Sequence, residues 1–85
     1  MSVVDGYRYL PILNRYGGGN YTYKFVMETA AGAEKYEIFA NNADEAIYII
    51  GCTFGNVLSW TYVENDVMAL VIAGYGAGTF LLYCD

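Results

Sequence analysis

The 85-residue chain has no histidine, a single proline and only four cationic side chains. Each shortage excludes a class of function. Without histidine there is no imidazole to bind a metal, to serve as general base, or to form a Ser–His or Cys–His pair. Four Lys and Arg against nine Asp and Glu leave a formal charge of −5. That balance opposes binding to a nucleic-acid backbone, which requires several cations to displace counterions. Charged residues make up only 15% of the chain and hydrophobic residues 56%. A disordered chain has the opposite composition, so a folded core is expected. Two cysteines, Cys52 and Cys84, cannot complete a four-ligand zinc site without other soft donors.

Long apolar runs are also missing. The longest extends from Val67 to Ala73 and is followed by Gly74, Gly76 and Gly78. The glycines break any helix through this region, so two strands around a turn explain it better than a membrane span. The start, Met1-Ser2-Val3-Val4-Asp5-Gly6, shows neither the cationic nor the apolar part of a signal peptide. The expected setting is therefore the cytoplasm, that of a bacterial host if the chain is phage-encoded, with both thiols reduced.

The size fits one domain, residues 1–85, burying roughly 60–65% of its unfolded surface. Residues 7–13 read as extended, but Pro11 restricts them to an edge strand or an irregular arm within residues 1–16. After the turn Gly17-Gly18-Gly19-Asn20, Tyr21, Tyr23, Phe25 and Met27 alternate with Thr22, Lys24, Val26 and Glu28. This is the period of a strand with one aromatic face. Ala30-Ala31-Gly32-Ala33 closes a hairpin, with Gly32 supplying positive φ, and Tyr36, Ile38 and Ala40 line the return. Thr22, Lys24, Glu28, Lys35 and Glu37 make an opposite face expected to be solvated.

Asn42 is an N-cap candidate with Glu45 at the capping-box position. Ala43, Ala46, Ile47 and Ile50 form a stripe at helical spacing, ended by Gly51 or Gly55. Strand character returns from Val57 to Glu64, turns at Asn65-Asp66 into the apolar run, and turns again at Gly74–Gly78 into Thr79–Cys84. The order is β-β-β-α-β-β-β. The fold class is α+β: a mostly antiparallel sheet of five to six strands carrying one helix. Phe25, Trp60, Ile47 and Ile50 are the expected core.

The chemistry-bearing patterns have structural explanations. Gly74-Tyr75-Gly76-Ala77-Gly78 is followed by a strand rather than the helix a phosphate cradle needs. Asp44 and Glu45 suit a helix start. Glu34 and Glu37 sit on an exposed strand, and Glu64 and Asp66 flank a turn. Cys52 lies near a helix C-terminus, where the dipole disfavours a thiolate. No enzyme activity, cofactor or metal is expected.

Ten tyrosines are the most distinctive feature. Tyr combines an apolar ring with a polar tip and is enriched where proteins meet. Tyr7, Tyr9 and Tyr16 in the arm, with Tyr75, Leu70, Val71 and Tyr83 in the last strands, are the candidate protein-binding residues. Those strands are apolar on both faces and lack the Lys or Pro that guard a free edge. They are expected to meet another copy, most simply as a two-fold homodimer, unless the arm covers them.

In size, acidity and lack of catalytic groups the chain looks like the small proteins that phages and mobile elements direct against host machinery, anti-CRISPR proteins among them. This class-level likeness implies a non-enzymatic inhibitor that blocks a surface of a larger protein partner. Two other readings are a small-ligand binder, with Tyr rings stacking on a planar molecule and Arg8 or Arg15 meeting its charge, and a structural homo-oligomer subunit.

Overall fold

A computed structural model describes residues 2–84. A short 3-10 turn, Asp5–Tyr7, precedes β1 (Ile12–Gly17), β2 (Tyr21–Thr29) and β3 (Gly32–Ala40). Helix α1 (Ala43–Thr53) follows, then β4 (Val57–Glu64), β5 (Val67–Ile72) and β6 (Thr79–Cys84). All six strands form one sheet in the order β1-β3-β2-β6-β5-β4. Neighbours run antiparallel except β1 and β3, which are parallel. The expected α+β order is the observed one.

Local chemistry sets the element boundaries. The Asn42 side chain accepts a hydrogen bond from the Glu45 backbone N–H at 2.8 Å. The Glu45 carboxylate reaches back to the Asn41 N–H at 3.0 Å, one residue before the usual capping-box donor. Gly51 lies inside the helix rather than at its end, and the chain leaves at Phe54. At the first hairpin Gly32 takes φ +122°, while the turn residues Ala30 and Ala31 keep negative φ. Asp66 supplies the left-handed position of the β4–β5 turn, with φ 58°.

The helix covers one sheet face. Phe25, Met27, Ile38, Ala40, Met68, Leu70, Ile72, Phe80 and Leu82 pack there against Ala46 and Ile50. Ile47 is partly buried beside them. An aromatic cluster closes this core, with Phe54 4.8 Å from Tyr36 and 5.6 Å from Tyr16 between ring centroids.

The outer face carries a second, smaller core. Val26, Val67, Leu81 and Tyr83 are covered there by Val4 and Tyr7. The sheet order makes β5 and β6 interior strands, and of their apolar positions facing away from the helix Val67, Leu81 and Tyr83 are closed by the N-terminal segment while Val71 stays open. Tyr16 does not take part, since it lies on the helix side. The face expected to be solvated is therefore partly covered. Lys35 is only 5% exposed, and its Nζ donates to the Arg8 carbonyl at 3.0 Å.

Trp60 corrects the expected core. It is 44% exposed, because β4 is the outermost strand of the sheet.

Candidate functional site

The two edges of the sheet differ in chemistry. Edge β1 follows Pro11 and carries Asn14 and Arg15, with a register break between Ile12 and Arg15. Arg15 is bound to Glu37 at 2.8 Å. Charge, proline and irregularity are the usual means of keeping an edge from pairing. Edge β4 carries no charged residue from Val57 to Val63, and residues 58–63 are all exposed. Register breaks fall at Val57/Ser59 and Tyr62/Glu64, leaving residues 59–62 regularly paired to β5.

The facing of β4 follows from its register. Trp60 pairs with Leu70 and Tyr62 with Met68, so both aromatics share the helix side of the sheet. Ser59 and Thr61 pair with Val71 and Ala69 on the outer side. The Trp60 and Tyr62 rings meet edge to face, 5.2 Å apart with an interplanar angle of 84°. Leu58 and Tyr62 are 66% and 62% exposed, and Val63 and Val71 also stand open. Together they form an apolar strip along an unpaired row of backbone groups.

Two hollows flank this strip. An open groove of about 340 Å³ lies beside the start of β4, lined by Ile47, Tyr48, Gly51, Cys52, Asn56 and Val57. A cavity of about 130 Å³ lies near its other end, lined by Tyr23, Ala43, Tyr62, Asp66, Met68 and Cys84. Burial, and secondarily the neighbouring Cys84, pushes the Tyr23 phenol up from its ordinary value.

The structure scatters the residues expected to bind a partner. Tyr9 is exposed at the N-terminal segment, and Val71 is exposed beside β4. Tyr7 is half-buried in the outer core, where its hydroxyl donates to the Glu28 carboxylate. Tyr16 and Tyr75 pack partly into the helix-side core. Leu70 and Tyr83 are buried and present no surface, since β5 and β6 lie inside the sheet. Only Val71 of the seven borders the β4 strip. Leu58, Trp60, Tyr62 and Val63 were missed. The available signal was the uncharged, proline-free run from Val57 to Val63, but its position at the edge depends on strand order.

The cations do not gather into an anion site. Lys24 and Arg15 both bind Glu37, at 3.1 and 2.8 Å. Burial raises the Glu37 carboxyl, but hydrogen bonds from Lys24 and Arg15 outweigh this and leave it below its ordinary value. Arg8 lies 3.5 Å from Asp5 and over the Tyr83 ring.

Both cysteines are free and exposed. Cys84 borders the same cavity as Ala43, the first helical residue, whereas Cys52 is roughly 13 Å further along the helix axis. A disulfide requires Cα atoms within about 7 Å. Among the described residues no three His, Cys, Asp or Glu side chains come together as a metal site. No helix among them is long and apolar enough to cross a membrane. No family model, curated protein or solved structure matches the chain.

Proposed function

We propose that the chain is a non-enzymatic protein-binding module that occupies a surface of a larger partner through its β4 edge. The observation that carries this reading is the run of six exposed, uncharged residues, 58–63, on the outer strand. An unpaired edge offers backbone hydrogen bonds, and alternating side chains supply selectivity. Trp60 and Tyr62 belong to the residue types that anchor protein interfaces. Steric blocking of host machinery, as by a phage or mobile-element inhibitor acting in a bacterial cytoplasm, is the setting that this small, acidic, tyrosine-rich chain suits.

A small-ligand role draws less support. The more enclosed cavity, about 130 Å³, is smaller than the roughly 300 Å³ from which ligand pockets begin, and the larger groove, about 340 Å³, is open to solvent. Arg8 and Arg15 each already face a carboxylate.

The test is affinity capture from the source host, using the parent chain and a Trp60→Lys/Tyr62→Lys variant whose fold is verified by circular dichroism. Each captured protein is then purified and titrated. Loss of two anchors should weaken binding by roughly 30-fold or more, the scale of interface hot spots. A partner that binds parent and variant equally would overturn the assignment to β4.

A further inference from the structure

We infer that the partner of the β4 edge includes a second copy of this chain, paired antiparallel about a two-fold axis through Thr61. The inference rests on the reading of β4 as a contact edge and adds the identity of one occupant. A two-fold axis normal to the sheet joins residues whose numbers sum to a constant. It keeps both helices on one side when that sum is even.

Register and the two aromatics together select the centre. Only residues 59–62 are regular, because breaks interrupt both ends of the strand. A centre at Thr61 uses residues 60–62 of both copies and stays within that stretch. A centre at Trp60 would use residues 59–61, also within it, but would set Trp60 against itself and put each Tyr62 opposite Leu58, which falls in a break. With Thr61 at the axis, each Trp60 stands opposite the other copy's Tyr62. The edge-to-face pair within one chain thus becomes a four-ring cluster on the helix side. Thr61 meets its own copy on the outer side.

Charge permits the same arrangement. Two chains of −5 repel at long range, yet residues 59–63, which pair with one another across the axis, carry no charge. The nearest acid of β4 is Glu64. In this register the two Glu64 residues lie six strand positions apart, about 20 Å. That is beyond the roughly 8 Å screening length at physiological salt. The area is modest. Trp60 and Tyr62 leave about half of side chains of roughly 150–250 Å² open. The four rings therefore bury on the order of 400 Å². Val63 and the strand backbones add to this, and the total stays below the ~1,000 Å² of a small specific interface, in the range of weak, transient contacts. The expected dimer is weak and reversible, and stronger at higher salt because screening relieves the net repulsion.

The experiment is sedimentation equilibrium on the parent, on Thr61→Lys, on Thr61→Glu, and on an equimolar mixture of the two variants. Thr61 is exposed, so both variants should fold, with circular dichroism as the check. The parent should dimerise. Each variant alone should associate at least tenfold more weakly, since like charges then face each other across the axis. The mixture should recover dimer, as only a pairing that sets residue 61 against itself allows Lys to meet Glu. A parent that stays monomeric into the hundreds of micromolar overturns the inference. So does a parent dimer whose mixed variants give no recovery. A monomeric parent that still captures a partner lost by the Trp60→Lys/Tyr62→Lys variant overturns the second copy alone and leaves the contact edge standing.

Discussion

Replacing Tyr7 by Phe isolates the contact that holds the N-terminal segment on the outer face. The Tyr7 hydroxyl donates to the Glu28 carboxylate, and the ring packs beside Val26, Val67, Leu81 and Tyr83. That bond to a carboxylate, helped by burial, pushes the phenol up to about 12. A shift from 10 to about 12 corresponds to ~2.7 kcal/mol before screening. The residue is only half-buried, so solvent reduces this to about 1–2 kcal/mol, in keeping with one hydrogen bond to a charged group. The sign follows from the neutral phenol being favoured in the folded state. The contribution is complete below pH 10 and is lost as pH rises through about 12. An 85-residue domain has roughly 4–13 kcal/mol in total, so the loss is readily measured. Urea unfolding followed by circular dichroism at pH 8 should show Tyr7→Phe less stable by about 1–2 kcal/mol with an unchanged m-value. Between pH 10 and 12 parent and variant should converge. Tyr23 and Tyr36, both raised mainly by burial, titrate in both proteins and cancel in the difference. Equal stability at pH 8, or a constant difference across the alkaline range, would refute the reasoning.

Phe25→Ala should cost about 3–5 kcal/mol and Trp60→Ala about half as much, because one ring is fully enclosed and the other only partly; equilibrium denaturation compares them. Deleting residues 1–10 uncovers Val26, Val67, Leu81 and Tyr83, four side chains worth about 1.5–3 kcal/mol each. The truncated chain should lose its cooperative thermal transition in calorimetry. Glu37 is held below its ordinary value by Lys24 and Arg15, so its stabilisation is present above that value and lost as pH falls through the depressed one. Glu37→Gln should flatten the acid limb of a stability–pH curve, which chemical denaturation from pH 2 to 6 would show.

Much of the fold was legible because local signals agreed with one another. The alternation from Tyr21 to Glu28, Gly32 in the hairpin, Asn42 at the helix start and Asn65-Asp66 in the turn each specify an element from a few neighbouring residues. Strand order is a different kind of fact. Trp60 read as core because a large aromatic in mid-strand usually is, and only the order β6-β5-β4 puts it at the rim. The apolar run from Val67 to Ala73 reads as a contact surface for the converse reason. Val4 and Tyr7, more than fifty residues earlier, close its outer face at Val67 and leave Val71 open. Lys35 looked solvated because its acceptor is the backbone carbonyl of Arg8, which no side-chain pattern reveals. The candidate edge was thus visible in composition, as an uncharged run, but not in position.

The most direct test of the β4 edge as the contact surface is acrylamide quenching of Trp60, the only tryptophan in the chain, across a dilution series and on addition of a captured partner. Ready quenching and red-shifted emission are expected in dilute protein. Quenching should fall and the emission move to the blue as concentration rises or partner is added. An indole already shielded at the highest dilution, or one whose quenching changes in neither titration, would contradict it.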